Sequence, residues 1–374
     1  MNVVFAAGGT GGHVYPAVAV ADALAGRATV LFIGAADRPE ANLVPQAGYA
    51  FDAISSRPLA RGASLDTLRT FGANAIGMMQ AARLLAAAKP DIVIATGGYV
   101  CFPVMAAARG LRGVRRIHAR LALLEPNVRP GLTNRLLAPL VDEVWGAYAQ
   151  VPGSRGSIAR KYVRTGVPVR ARVLQRTNRI EAARRLGLDP NRRTILAIGG
   201  SQGARSINEA VAALVTRRGL PRDWQVLHVS GERDYTYMLA EEREPFGDNR
   251  LVLVAYLADL ADAYAACDLV LSRAGASTLG ELAALGMPAV LVPYPFAAED
   301  HQTANARAFE AAGAAVVLAD RELNADSLWW TLRDAMDPAR LAAMRAAARS
   351  LAPGDPVAAI VARIDGLLSR KKPV

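Results

Sequence analysis

Short, nearly continuous apolar runs recur along the chain, separated by longer stretches in which Ala, Val and Leu alternate with polar residues at helical spacing. The runs read "VVFAA", "TVLFIG", "DIVIATGG" and "RLALLE", then "RTILAIGG", "WQVLHVSG", "LVLVAYL", "DLVLSRAG", "AVLVPYP" and "AAVVLAD". Continuous rather than alternating apolar strands are those buried on both faces, as in parallel sheets covered by helices. The pattern therefore predicts an α/β protein of doubly wound parallel sheets. It also restarts: "VVFAAGGTGGHVYPAVAVADAL" and "ILAIGGSQGARSINEAVAALV" are each strand, glycine turn and Ala/Val-rich helix. Each opens its own Rossmann-like unit. Between them, Gly166 and Pro168 break the periodicity of "RTGVPVRARVLQRT" (164–177), which sets the expected domains at 1–166 and 167–354. The segment 355–370, "DPVAAIVARIDGLLSR", predicts an amphipathic helix that packs back across the junction onto the first domain.

Composition narrows the function. A chain of 374 residues, 52% of them apolar, suits two cores. Two cysteines, Cys101 and Cys267, are too few for a disulfide framework and point to a reducing compartment, the cytoplasm. No basic leader and no spanning apolar stretch is apparent, so the expectation is a protein neither exported nor embedded. The charge is uneven: residues 1–170 carry 19 Lys and Arg against 9 Asp and Glu, whereas 171–374 carry 25 against 24. A polyanionic partner for the first half is implied, unless the arginines are spread over solvated faces. Nucleic acid is not expected, because no recognition motif is present and 6% aromatics leaves few stacking platforms. Anionic lipid or a phosphate ester remains.

Three turns suit anions: Gly8–His13, Gly199–Ala204 and Ala274–Thr278, with a weaker fourth, "TGGY", at 96–99. A strand feeding a helix aims unpaired N–H groups and the positive end of the helix dipole outward, and glycine lets a phosphate approach. "GGTGGH" is neither a dinucleotide fingerprint nor a P-loop, and any one such turn is equally a plain tight turn. Several at predicted strand ends argue for ligands, bound in a cleft if the two domains face each other. No Asp-x-Asp and no His/Cys cluster marks a divalent metal, so helix N-termini and arginines, with Arg170, Arg205 and Arg273 as candidates, would have to neutralise a diphosphate.

The stretch "LSRAGASTLGELAALGMPAVLVPYPFAAEDHQTANA" (271–306), with "GGTGGHVYPAVAVADAL", "GGYVCFPVMAAA", "PGLTNRLLA" and "GGSQGARSIN", closely resembles the MurG family. These transferases move N-acetylglucosamine from UDP-N-acetylglucosamine to undecaprenyl-diphosphate-linked N-acetylmuramoyl pentapeptide. The resemblance implies a GT-B fold, two Rossmann-like domains facing a central cleft, with an N-terminal acceptor domain and a C-terminal donor domain. It implies an inverting, metal-independent enzyme without cofactor, peripheral at the cytoplasmic face of the cell membrane. By the same resemblance Thr10, Gly11 and Gly12 contact the donor sugar and the acceptor diphosphate. Asn127 lies near the donor sugar, Arg170 belongs to the nucleotide site, and Ser201 contacts phosphate. The backbone of Leu257 reads uracil, Ala276, Ser277, Thr278, Leu279, Gly280 and Glu281 hold phosphate and ribose, and Gln302 reads sugar hydroxyls. One stretch departs: where the family has His-Glu-Gln-Asn, this chain has Leu124-Glu125-Pro126-Asn127, with His118 six residues upstream of the leucine. Either an insertion displaces the histidine or "RLALLE" replaces the usual strand.

The expected mechanism is attack of the acceptor hydroxyl on the anomeric carbon as UDP departs. His13 is the expected base or phosphate-side proton manager, since the positive end of a helix disfavours imidazolium there. The competing reading is a helix-start residue that only hydrogen-bonds, and Glu125 is the reserve base. Glu281 likewise has a structural reading, as the partner of Thr278 in a capping box opening a helix over 279–285 that Gly286 and Pro288 end. The leaving diphosphate is expected on the N–H groups after Ala274 and around Ser201, with Arg170 beside it. An anionic membrane surface would meet segment 57–90, where Leu68, Phe71, Ile76, Met78, Met79, Leu84 and Leu85 lie among Arg57, Arg61, Arg69, Arg83 and Lys89, though core packing explains the same apolar residues. The alternative functions are a UDP-N-acetylglucosamine 2-epimerase or another GT-B nucleotide-sugar enzyme, and a non-enzymatic nucleotide- or nucleic-acid-binding protein.

Overall fold

The computed structural model describes residues 1–58, 65–148, 156–175, 177–200, 203–241, 250–352 and 354–370. It divides into two compact units, Met1–Arg170 with Pro353–Val374, and Ala171–Ala352. Unit 1 contains strands β1 (Asn2–Ala7), β2 (Thr29–Gly34), β3 (Ala50–Ala53), β4 (Ile92–Gly97), β5 (Arg120–Glu125), β6 (Glu143–Gly146) and β7 (Tyr162–Arg164). They form one sheet in the order β3-β2-β1-β4-β5-β6-β7, every pairing parallel. Unit 2 contains β8 (Arg193–Ile198), β9 (Trp224–Val229), β10 (Arg250–Val254), β11 (Leu269–Ser272), β12 (Ala289–Leu291) and β13 (Ala315–Val317), parallel in the order β10-β9-β8-β11-β12-β13. Strand order reverses between β1 and β4 in unit 1 and between β8 and β11 in unit 2. In doubly wound sheets ligands gather at the carboxyl ends of the strands flanking such a reversal.

Each face of the first sheet has its own apolar layer. Val4, Val93 and Leu121 pack under helices Leu65–Ala88 and Cys101–Gly113, while Val3, Phe5 and Ile94 pack under helix Gly11–Ala23. That second layer is completed from the far end of the chain. Helix Pro356–Ser369 is capped by Asp355, whose carboxylate accepts from the N–H of Val357 (2.9 Å) and Ala358 (3.0 Å), and has Pro356 at its first turn. Its spacing brings Ile360, Ile364 and Leu367 onto Val14 and Val18. Glu143 ties the same helix down by a fork of bonds from Arg363, Nε at 2.9 Å and the shorter Nη2, and accepts from Trp145 Nε1 at 2.9 Å. Burial alone would raise the Glu143 carboxyl, but these bonds hold it below the usual carboxylate range.

Strand β5 carries the stretch that departs from the family pattern. "RLALLE" is a regular strand, paired with β4 from Ile92↔Arg120 onward and with β6 up to Glu125↔Gly146. Leu124 is a core side chain, 1% exposed, and His118 lies exposed ahead of the strand. Leu124 thus occupies a core strand position directly before Glu125, and His118 is not part of the strand. Among the described residues no helix is long and apolar enough to cross a membrane.

Candidate functional site

In unit 1 the turns after β1 and β4 lie backbone against backbone. A Cβ on Gly98 would stand 2.2 Å from the Gly8 carbonyl oxygen, and one on Gly8 would stand 2.5 Å from Glu40 Oε1. Only glycine permits this approach. Fully buried Glu40 then ties the turn from beneath, accepting from Gly9 N–H and from Ala35 N–H, each at 3.1 Å. Glu40 is a site-shaping residue that the sequence pattern did not single out, because an acid in the first turn of a helix ordinarily faces solvent.

His13 sits where these turns meet. Its Nδ1 is 3.0 Å from the Thr96 carbonyl oxygen, and Thr96 Oγ1 donates back to the His13 carbonyl at 2.8 Å. A carbonyl only accepts, so in the neutral ring Nδ1 carries the proton and Nε2 the lone pair. A Cβ on Gly97, at φ +119°, would stand 2.4 Å from Nδ1. The fourth glycine turn of the sequence therefore serves to hold the imidazole. Thr10 is the extended residue before helix Gly11–Ala23 and makes no side-chain cap bond, while Gly11 and Gly12 are the first two helical residues. Their N–H groups, at the helix start, lack intrahelical acceptors by construction. Arg170, at the end of this unit, has its guanidinium carbon 4.1 Å from the Tyr15 ring centroid, and its buried Nε has no hydrogen-bond partner among the described residues.

Glu125 and Asn127 form a separate loop brace. Oε1 accepts from the Asn127 N–H (3.0 Å) and Nδ2 (3.1 Å), and Oε2 from the Gly131 N–H (3.0 Å) and Asn134 Nδ2 (2.9 Å). Burial pushes the carboxyl up and the four donors pull it down, with burial the larger effect. The geometry is that of a loop organiser, with both oxygens committed inward.

In unit 2 the turn after β8 is again backbone-tight, since a Cβ on Gly199 would stand 2.2 Å from Ala204 N and one on Gly203 2.3 Å from the Ser230 oxygen. Ser201 lies outside the described residues. After β11, helix Ala276–Leu285 begins three residues earlier than the sequence suggested, with Gly275 as its extended N-cap. Thr278 is accordingly inside the first turn, and the expected Thr278–Glu281 capping box is not what opens the helix. Glu281 is instead buried on that helix, accepting from the Tyr264 hydroxyl at 2.8 Å. Ala276, Ser277 and Thr278 form the helix start, Leu279 is buried, and Gly280 follows on the second turn. Gln302 Oε1 accepts from Ala274 N–H (3.1 Å) and Tyr294 N–H (3.0 Å), bracing the turn. Ala274 N–H is thus used internally, and the outward donors start with the helix. Leu257 is half-buried on the segment after β10.

Two of the arginines expected to neutralise a ligand are engaged elsewhere. Arg273 bonds Asp320 Oδ1 (2.5 Å), Ser206 Oγ (2.9 Å) and the Val292 and Pro293 carbonyls, so its charge is spent within the unit. Arg205 pairs with Glu209 at 2.7 Å. On helix Leu65–Ala88, Phe71 (61%), Ile76, Met78 and Met79 are exposed beside exposed Arg69 and Arg83. Leu85 is fully buried and Leu84 packs on the core, which removes both from the surface patch. Arg61 and the side chain of Leu68 lie outside the described residues. Among those described, no group of three or more His, Cys, Asp or Glu is placed to hold a metal ion.

Two Rossmann-like units, each with glycine turns after both strands of its reversal point, are the build of a GT-B glycosyltransferase. Residues 3–145 match the glycosyltransferase family 28 N-terminal domain and 194–357 its C-terminal domain. Within that class the chain belongs to the MurG family. It is 38% identical over 369 residues to the UDP-N-acetylglucosamine–N-acetylmuramyl-(pentapeptide) pyrophosphoryl-undecaprenol N-acetylglucosamine transferase of Desulfitobacterium hafniense (strain Y51), covering 96% of this chain and 98% of that one. The crystal structure of Acinetobacter baumannii MurG matches with a TM-score of 0.75 at 26% identity, over 98% of this chain and 99% of that one. A Listeria monocytogenes protein provisionally named a UDP-N-acetylglucosamine 2-epimerase matches with a TM-score of 0.69 at 16% identity, over 100% and 98% of the two chains, a likeness of fold alone.

Proposed function

We propose that this protein transfers N-acetylglucosamine from UDP-N-acetylglucosamine to N-acetylmuramyl-(pentapeptide) pyrophosphoryl-undecaprenol, converting lipid I to lipid II in peptidoglycan synthesis. The observation that carries the reading is near-full-length identity to transferases named for this reaction. The paired strand-end turns and His13 give it a chemistry. Unit 1 takes the acceptor and unit 2 the donor. The acceptor hydroxyl gives its proton to His13 Nε2 as its oxygen bonds the anomeric carbon. The bond from that carbon to UDP breaks, its electron pair passing to the diphosphate, and configuration inverts. N–H groups at the start of helix Ala276–Leu285 and around Ser201 receive the diphosphate, with Arg170 supplying charge and Thr10, Gly11 and Gly12 contacting sugar and acceptor diphosphate. Glu281 accepts from the ribose diol, the Leu257 backbone reads uracil, and Gln302 uses its amide toward sugar hydroxyls. Asn127 lines the sugar and Glu125 positions its loop. Exposed Phe71, Ile76, Met78 and Met79, beside Arg69 and Arg83, support peripheral attachment to an anionic membrane at its cytoplasmic face.

The test is transfer of labelled N-acetylglucosamine to a lipid-diphosphate acceptor with chelator present. Transfer at full rate is expected. No transfer overturns the reading, turnover of UDP-N-acetylglucosamine without acceptor turns it toward an epimerase, and a metal requirement overturns the mechanism.

A further inference from the structure

At the end of unit 1 opposite the glycine turns, a cavity of about 340 Å³ opens between the end of helix Cys101–Gly113, the residues leading into β6, and the end of the C-terminal helix. Arg109, Arg112, Arg120, Lys161 and Arg370 line it, and Asp142 is the one carboxylate among the lining residues. That carboxylate is already committed, accepting from Arg112 Nη1 at 2.7 Å and from the Leu121 N–H at 2.8 Å. Glu143, the next acid, is held by Arg363 and stands 3.9 Å from Arg370 Nη1.

The remaining positive charge is held in place by dipoles. Lys161 Nζ donates to the carbonyls of Ala138 (3.1 Å), Pro139 (3.0 Å) and Val141 (2.6 Å), and Arg120 donates to those of Leu367 (3.0 Å) and Arg370 (2.9 Å). Carbonyls fix the direction of these groups without cancelling their charge. Burial, with repulsion from Arg112, Arg160 and Arg109, pushes the Lys161 ammonium below its ordinary value. A concave set of like charges, oriented by backbone and short of carboxylates, is unfavourable alone and complementary to an anion. Its volume reaches the lower end of ligand pockets.

We propose that this pocket is a second anion site, separate from the strand-end turns, which takes a phosphate-bearing group such as a diphosphate or a phosphodiester headgroup. Arg109 and Arg370 supply the outer clamp, Arg112 and Arg120 the inner donors, and Lys161 adds field from behind, its three donors being in use. The tetrahedral, multiply accepting phosphate suits converging guanidinium forks better than a lone carboxylate does.

The double variant Arg109→Gln/Arg370→Gln tests the site, because among the described residues neither side chain makes a hydrogen bond within the fold and Arg370 contributes only a 3.9 Å pair to Glu143, which Arg363 already holds. Full-length protein is titrated with inorganic diphosphate by calorimetry, and sedimented with phosphatidylglycerol vesicles against phosphatidylcholine vesicles. The variant is expected to melt at the wild-type temperature and to bind about tenfold more weakly in at least one arm, with Arg109→Lys/Arg370→Lys keeping most of the binding. Loss in the diphosphate arm alone identifies a soluble ligand, loss in the vesicle arm alone a lipid headgroup, and loss in both recognition of the phosphate itself. Unchanged binding in both arms overturns the site, as does equal loss in the lysine variant, which would mark a packing effect.

Discussion

The two reversal points of this molecule share a plan and differ in what ties them together. In unit 1 the link across the reversal is His13 to the Thr96 carbonyl, a bond made by a group whose other nitrogen can take a proton. In unit 2 it is Arg273, which follows β11, bonded to Ser206 on the helix after β8 and to Asp320. A guanidinium stays charged at any working pH, so this link cannot take part in proton transfer. On the proposed mechanism the same architecture yields a chemical seat in one unit and a rigid electrostatic seat in the other. Glycine supplies the approach in both, and the side chain spanning the gap sets the role.

Breaking the first link has the largest expected effect. His13→Ala should lower turnover by about 10² to 10⁴ with the melting temperature unchanged, measured by kcat with both substrates saturating. Gly97→Ala sharpens this, because its Cβ meets the imidazole at 2.4 Å. If the turn acts by holding the ring, Gly97→Ala lowers kcat in the protein that has His13 but not further in His13→Ala, while the stability lost to strain at φ +119° is common to both.

Breaking the second link should act on binding and stability instead. Arg273→Gln leaves Asp320 partly buried without its ion partner, a loss of about 3 kcal/mol by denaturant titration. The KM for the donor should rise while kcat changes little. A kcat effect as large as that of His13→Ala would erase the contrast between the units.

A third prediction concerns pH. The Glu143 carboxyl lies below its ordinary value in the folded chain, so the folded state binds its proton less readily than the unfolded state. Its stabilisation is complete above about pH 4.5 and is lost as pH falls through the folded-state value. Glu143→Gln should cost about 3 kcal/mol at neutral pH, the lower end for a buried pair because Arg363 is a third exposed, and should flatten the acid limb of unfolding. The smallest expected effect is on Cys101. Burial pushes its thiol up to about 12, and its Sγ donates to the Gly97 carbonyl at 2.9 Å and the Ala6 carbonyl at 3.2 Å. Native protein should leave Cys101 unalkylated at pH 8, and modification within minutes would show that the turns at the unit 1 reversal open freely.

The central strands were legible because burial on both faces leaves little room for polar residues. Strands β3, β6 and β7 were not, being four residues or fewer and carrying Asp52, Glu143 and Arg164. The helix start at Ala276 was misread because Thr278 and Glu281 satisfy a local capping rule, whereas the Tyr264 hydroxyl, a tertiary partner, claims the glutamate. Glu40 escaped, and Arg273 was expected at a ligand instead of within its unit, for a related reason: each is defined by groups distant in sequence, Gly9 for one and Asp320 for the other. The turn holding His13 was visible as glycine, but its purpose needed the neighbouring strand.

The return of Ile360, Ile364 and Leu367 to the layer begun by Val14 and Val18 has a temporal side. Unit 2 is continuous in sequence and can be complete while the chain is still being made. Unit 1 begins first and finishes last, since part of its core is translated after all of unit 2. During synthesis its open apolar face must wait, and that interval is where truncated or stalled chains would be most prone to aggregate.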